Sequence, residues 1–244
     1  MDEWEVFIEG YRDSDDPKEF TKVLKSADNI IAKDLASFEI EWFLSSLLEK
    51  PVNLLKIVAD KRTSDDWNDC VLKSLKLLIS IVVKYENANI YYEKIVLLCL
   101  LPYDAKTKQE ALTCLIKIVP HSSLAARDLN QHLMALEMAT TCKSPLALLI
   151  GAICEHHPDI VEAEAGMTNI WRVFLNFLDI NKNSTKVIKS TLEGIMGLFR
   201  HFGMELPTME LSVFFDKFVN YIDLPGCEKT VLALLQQHAA LFRE

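Results

Sequence analysis

The sequence predicts an all-α protein, an irregular α-solenoid of about eleven or twelve helices. Apolar residues recur at three- and four-residue spacing along most of the chain, which is the period of amphipathic helices. Only 7 glycines and 8 prolines occur in 244 residues, fewer than the turns of a sandwich or barrel require. Prolines and small hydroxyl residues separate the apolar segments, so short links are expected between successive helices.

The first helices begin at recognisable signals. A short helix or arm around Trp4 and Phe7 comes first. The segment Asp16–Glu19 is a capping box with proline at the first helical position, and it predicts a helix to about Lys33. The next two predicted helices are Phe38–Leu48, capped by Ser37, and Pro51–Asp60.

A long buried helix is predicted from Ser64 to about Tyr85. Ser64 supplies the cap, and the two carboxylates after it favour the positive end of the helix dipole. The β-branched run Leu77–Val83 also suits a strand, but lysines recur at helical spacing around it, namely Lys73, Lys76 and Lys84. The helical interpretation is therefore preferred.

The middle of the chain continues in the same way. The predicted helices here are Tyr91–Leu101, ended by Pro102; Ala105–Val119, capped by Asp104 and ended by Pro120; and a helix from Ser122 or Ser123 to about Thr141. Ser144 with Pro145 begins the next one, and Pro158 ends it. Thr168 caps a helix to Leu178 whose apolar residues, Trp171 among them, share one face.

The last helices are Ser184–Phe202, closed by Gly203 at its C′ position; Met209–Ile222, capped by Thr208; and Pro225 to Phe242. Pairing the helices gives a repeat of roughly 40 residues, the period of HEAT and armadillo units. Residues 1–244 are therefore interpreted as a single HEAT-like repeat region. Because the final segment stops within an amphipathic helix and lacks a polar capping repeat, the region is expected to be the N-terminal part of a longer chain.

Composition narrows the class of protein. The formal net charge of −9 argues against a free-standing nucleic-acid binder, whose domain is usually basic. The six cysteines lie on apolar helix faces without a CxxC motif, which indicates reduced, buried thiols in an intracellular protein. The N-terminus has no signal-peptide pattern, and the longest apolar stretches are too short for a membrane span. A nuclear location is expected, with a cytoplasmic one as the alternative.

The most ligand-like cluster is Cys154-Glu-His-His157. A zinc site needs a second ligand pair at comparable spacing, and none accompanies this one, so a buried thiol and two helix-ending histidines are preferred over a small helical metalloenzyme. Gly194 and Gly197 suit close helix packing better than a phosphate loop, which would need a following Lys-Ser/Thr. No nucleophile elbow or kinase signature occurs. We therefore assign no catalytic residue, metal ligand or cofactor, and expect this chain not to be an enzyme.

A modest basic strip is the remaining candidate site. Lys182, Lys186 and Lys189 lie near the beginning of one predicted helix, beside the amides of Asn181 and Asn183. If successive turns of a solenoid align at one edge, these lysines could contact DNA phosphates. Solvated lysines on an outer face are the simpler interpretation, and core packing is the default for the tryptophans.

Six apolar blocks recur in order along the chain, namely Phe43–Leu48, Leu72–Leu78, Ala111–Lys117, Leu149–Pro158, Ile170–Leu175 and Leu192–Leu198. Taken in this order, the blocks resemble the N-terminal HEAT-repeat arm of the DNA-dependent protein kinase catalytic subunit family, within the phosphatidylinositol-3-kinase-related kinases. The resemblance rests on block order and spacing and covers most of the chain from about Phe43 onward.

The resemblance implies a non-catalytic scaffold that supports docking of the Ku heterodimer and double-stranded DNA ends during non-homologous end joining. It also implies that the full-length protein is a nuclear Ser/Thr kinase whose catalytic domain lies outside this region. The alternative is a generic HEAT or armadillo adaptor that binds a protein partner unrelated to DNA repair.

Overall fold

The prediction of an all-α protein is confirmed. The computed structural model describes residues 3–31, 44–48, 65–84, 91–100, 105–138, 141–206 and 208–237, and the regular structure in these ranges is helical. The helices are α1 (Glu3–Asp13), α2 (Pro17–Ile31), α3 (Asp65–Lys84), α4 (Tyr92–Cys99), α5 (Ala105–Ile118), α6 (Leu129–Met138), α7 (Lys143–His156), α8 (Met167–Phe177), α9 (Thr185–Phe202), α10 (Thr208–Ile222) and α11 (Glu228–Gln237).

Residues 1–124 and 125–244 form two compact units. The predicted helix Pro51–Asp60 lies outside the described residues, as do the cap at Ser37 and the start of the helix that was expected to follow it. Residues 44–48 of that helix are helical. The stacking of helix pairs into a solenoid, and a single repeat region over 1–244, stay predictions.

In the first unit, α1 and α2 pack around an aromatic cluster. The Asp16 carboxylate accepts hydrogen bonds from the backbone N–H groups of Lys18, at 2.7 Å, and Glu19, at 3.2 Å, so the predicted cap of α2 is confirmed. The Tyr11 ring lies 4.7 Å from that of Phe20, and its hydroxyl donates to the Leu47 carbonyl at 3.0 Å. Burial raises the pKa of Tyr11, because the phenolate would lose its hydration.

The predicted long helix in the first unit is also confirmed. In α3, Leu75 and Leu78 are fully buried, while the Lys73, Lys76 and Lys84 side chains lie on exposed positions. Lys76 pairs with Glu110 of α5, and this bond raises the pKa of the ammonium group. The β-branched run thus forms a buried helix, as its lysine spacing indicates.

In the second unit, α7 and α9 cross at their closest point through glycines. A β-carbon on Gly194 would lie 2.8 Å from the Ala147 carbonyl oxygen, and one on Gly197 would lie 2.8 Å from the Gly151 carbonyl carbon. The two backbones therefore touch without intervening side chains. The prediction that Gly194 and Gly197 serve helix packing is confirmed.

Residues near the start of α7 contact residues near the start of α9, and residues near the end of α7 contact residues near the end of α9. The two helices therefore run parallel. Lys143 donates to Asn183, just before α9, at 3.2 Å. The Ser144 and Ser190 hydroxyls lie 2.6 Å apart, and Glu155 pairs with Arg200. The paired residues are 40 to 46 positions apart in sequence. Tyr221 of α10 likewise bonds the carbonyl of Leu178, 43 positions earlier, just after α8.

Two predicted N-caps are wrong. Helix α7 begins at Lys143 after Cys142, and Ser144 lies inside its first turn, where its hydroxyl meets Ser190 instead of capping the helix. Helix α8 begins at Met167 after Gly166, so Thr168 is within the helix rather than before it. In both cases the residue that could cap a helix lies two positions after the actual N-cap residue, inside the first turn.

The predicted long helix from Ser122 or Ser123 to Thr141 is wrong as well. A short 3₁₀ segment, Ser123–Ala126, ends at a turn in which Asp128 has a positive φ of 64°, and α6 begins only at Leu129. The Glu164 carboxylate accepts the Leu129 backbone N–H at 2.9 Å. This contact from 35 residues away supplies the cap, and no local pattern reveals it.

Helix α7 ends at His156, so the predicted helix end before Pro158 is confirmed, and Pro158 itself begins a short helical turn and a π-helical segment that runs to Ala165. Two other boundaries near glycine or proline differ from expectation. Gly203 has a φ of −57° and leads into a 3₁₀ turn rather than a left-handed C′ residue. Pro225 precedes Gly226, whose φ is 80°, and the Cys227 N–H bonds the Leu224 carbonyl. This is a type II turn, so α11 begins at Glu228.

Candidate functional site

The Cys154–His157 cluster does not converge on a common point. Cys154 is fully buried in α7, and burial raises the pKa of its thiol. His156 Nε2 lies 3.8 Å from Glu155 Oε1 on the same helix turn, and His157 follows the end of α7. Among the described residues, no group of three histidine, cysteine or acidic side chains is arranged to hold a metal ion.

Glu155 instead joins α7 to α9. Its carboxylate pairs with the guanidinium of Arg200, and its backbone carbonyl lies 2.9 Å from His201 Nε2. Both partners belong to the last turn of α9, where positive charge is favoured by the helix dipole. Glu155, the acidic residue of the Cys154–His157 cluster, therefore contributes to the packing of α7 against α9.

All six cysteines are buried and none forms a disulfide, as the sequence predicts. Burial is the largest cause of the raised pKa of Cys99, Cys114, Cys154 and Cys227. Because the thiolate is the reactive form, these sulfurs are suited to packing and poorly suited to nucleophilic chemistry.

We expect the native protein to react with Ellman's reagent at least about 100-fold more slowly than the unfolded protein, since both access and thiolate fraction are low. The measurement compares thiol release at mildly alkaline pH with and without concentrated guanidinium chloride. A thiol that reacts at the unfolded rate in native protein would show that one of these sites is open.

The three lysines of the predicted basic strip are all exposed, but they do not form one cluster of unpaired charges. Lys182 pairs with Asp179 at 3.2 Å, and Lys189 pairs with Glu193 at 3.8 Å. Lys186, on the first turn of α9, makes no ion pair within the described part of the chain. Asn183 accepts from Lys143, while Asn181 lies in the loop that precedes α9.

The loop between α8 and α9 is organised by Asp179. Its carboxylate accepts the backbone N–H of Asn181 at 2.9 Å, and its carbonyl accepts the N–H groups of Lys182 and Asn183. The bond from the Asn181 N–H and the Lys182 ammonium group hold the pKa of the Asp179 carboxyl below its usual range. The loop therefore presents Ile180, Asn181 and Lys182 in a defined arrangement.

A groove of about 620 Å³ runs between this loop, the end of α8 and α10. The polar side chains that line it are Asn176, Asp179, Asn181, Lys182, Lys217 and Asn220, and the apolar ones are Leu175, Leu178, Ile180, Val213, Phe214 and Tyr221. The Tyr221 hydroxyl donates to the Leu178 carbonyl at 3.1 Å and so ties α10 to the loop. The volume of the groove is in the range of ligand-binding clefts.

The structure thus brings Lys182 and Asn181 together with residues that no sequence pattern distinguishes. Lys217 and Asn220 come from α10, where Val213, Lys217 and Tyr221 recur at four-residue spacing along one face. That spacing could have indicated a shared face, but not that the face borders the Asp179 loop. Lys186 and Lys189 do not line this groove.

No described helix combines the length and the apolar character that crossing a membrane requires. No family model matches the chain, and no curated protein matches it.

Two solved structures have a similar fold. Both are crystal structures of engineered proteins determined by the Northeast Structural Genomics Consortium. One is 13% identical with a TM-score of 0.60 over 99% of this chain and 98% of its own. The other is 16% identical with a TM-score of 0.60 over 97% of this chain and 98% of its own. At these identities the similarity concerns the fold alone.

Proposed function

We propose that this chain is a non-catalytic HEAT-like scaffold. The observation that carries the proposal is the parallel crossing of α7 and α9, with paired residues 40 to 46 positions apart, together with the Tyr221–Leu178 bond at an offset of 43. A repeat of about 40 residues places equivalent helices side by side in this way. Stacks of this kind present long outer surfaces that bind partners.

In its specific form, the proposal is that the scaffold supports docking of the Ku heterodimer and DNA ends in non-homologous end joining, in the nucleus. This part rests on the resemblance of the apolar blocks to the DNA-dependent protein kinase catalytic subunit family. The exposed positions of Lys182, Lys186 and Lys189 are compatible with phosphate contact. In a full-length member of that family the Ser/Thr kinase domain would lie outside this region.

Binding to Ku-loaded DNA ends should exceed binding to bare DNA, because a chain of net charge −9 gains little from phosphate attraction alone. The measurement is a titration of both duplexes over a salt series. The slope of the logarithm of the binding constant against the logarithm of salt concentration reports how many phosphates the protein neutralises. Replacing Lys182, Lys186 and Lys189 together by glutamate should make this slope shallower by about 0.9 for each phosphate that is no longer neutralised. Failure to bind either form of DNA would overturn the specific proposal.

The alternative is an adaptor for a protein partner outside DNA repair. It is favoured by the pairing of Lys182 and Lys189 with carboxylates, which reduces their attraction for phosphate. Affinity purification that recovers transport or cytoskeletal proteins, with Ku and other repair factors absent, would support the adaptor over the DNA-end scaffold.

A further inference from the structure

The groove beside the Asp179 loop combines exposed aliphatic side chains with basic ones. Ile180 and Val213 both line it, and each is 48% exposed, so the two together offer apolar surface to a ligand. Lys182 and Lys217 line the same space, against the single carboxylate of Asp179. The groove therefore places a net positive charge next to exposed aliphatic surface in a chain whose formal net charge is −9.

Three exposed asparagines, Asn176, Asn181 and Asn220, also line the groove and come from three different elements. A carboxamide offers both a donor and an acceptor, which is the combination that a peptide main chain requires. A ligand with repeated N–H and C=O groups can bond all three. A ligand that only accepts hydrogen bonds would use half of this capacity.

A phosphate-rich ligand fits the groove less well. The Asp179 carboxylate lies within it and already holds Lys182 at 3.2 Å, so a phosphodiester would meet one like charge and one ammonium group that is already paired. Ile180 and Val213 would gain nothing from contact with phosphate. By contrast, Lys217 forms no ion pair within the described residues and is free to meet a carboxylate.

We propose that this groove binds an extended peptide segment of a protein partner that carries an aliphatic side chain next to a carboxylate. The aliphatic side chain packs on Ile180 and Val213, the carboxylate pairs with Lys217, and the main chain bonds the asparagine amides. This inference goes beyond the proposed scaffold function and does not depend on DNA binding.

The test is a selection of random dodecapeptides displayed on phage against the purified chain, followed by anisotropy titrations of the enriched peptides. Enriched peptides should share an acidic residue within two positions of a leucine, isoleucine or valine. Their affinity should fall by about tenfold for Lys217→Glu and at least severalfold for Val213→Ser. Lys229→Glu, an exposed position that does not line the groove, is the charge-matched control and should bind within about twofold of the native chain.

All three substituted side chains are exposed, so circular dichroism and thermal unfolding should match the native chain. The inference is overturned if no peptide is enriched, if the enriched peptides are basic, or if they bind Lys217→Glu as tightly as the native chain. A DNA duplex whose binding is weakened by Lys217→Glu, with peptide binding unaffected, would identify phosphate as the ligand and also overturn it. Lys186→Glu separates the two proposals, since it should change DNA binding and leave peptide binding intact.

Discussion

Replacing Gly197 by alanine should lower the free energy of unfolding by about 3 kcal/mol, at the upper end of the usual cost of overpacking. The added β-carbon would overlap the Gly151 carbonyl oxygen and lie 2.8 Å from its carbon. Both are backbone atoms within α7, so relief requires the two helices to separate along their crossing. That separation also disturbs the Ser144–Ser190 and Glu155–Arg200 pairs on either side.

A urea titration monitored by circular dichroism measures the change in the free energy of unfolding. Gly10→Ala is the matched control, because a β-carbon there would meet only the two Val23 methyl groups, at 3.4 and 3.7 Å. Alanine is the better helix former, so this control should be neutral or stabilising by up to about 1 kcal/mol. If Gly197→Ala behaves like Gly10→Ala, the two backbones are not in contact at the crossing.

Replacing Trp171 by alanine should cost about 3–5 kcal/mol of stability, as large core truncations do. The side chain is fully buried, and its ring lies 5.6 Å from Phe199 and 5.3 Å from Phe214. It thereby joins α8, α9 and α10 in the second unit. An unchanged melting temperature would contradict this assignment.

Trp171→Phe provides the control for aromatic packing. The indole N–H of Trp171 has no hydrogen-bond partner among the described residues, and a buried unpaired donor is costly. Removing the unpaired donor should offset part of the free-energy cost of the smaller side chain, so we expect the free energy of unfolding to fall by about 1 kcal/mol or less. A loss as large as that of Trp171→Ala would mean that the indole N–H does have a partner.

Sequence reasoning succeeded for helices whose signals are local. The Asp16 cap and the lysine spacing of α3 depend on residues within a few positions of one another, and the structure agrees with both. Caps that depend on distant groups were missed. The Glu164 carboxylate accepts a hydrogen bond from the first turn of α6, 35 residues away in sequence. The Ser144 hydroxyl bonds Ser190 on another helix instead of capping its own.

The candidate site was predictable in part. The sequence indicates Lys182 and Asn181, because polar and basic residues cluster near one helix start. The contribution of α10 was not predictable, because Lys217 and Asn220 look like ordinary surface residues until Tyr221 is seen to bond the Leu178 carbonyl. Composition also gave no indication that Ile180 and Val213 would remain exposed beside them.

The Ser144–Ser190 pair restricts how the sequence can vary. The two hydroxyls lie 2.6 Å apart in a buried position, and each is a hydrogen-bond partner of the other across the helix crossing. Removing one would leave a buried hydroxyl without that partner, whereas exchanging both for alanine or another small apolar residue keeps the interface matched. Any relative that retains the glycine crossing should therefore change positions 144 and 190 together, so that the pair is inherited as a unit.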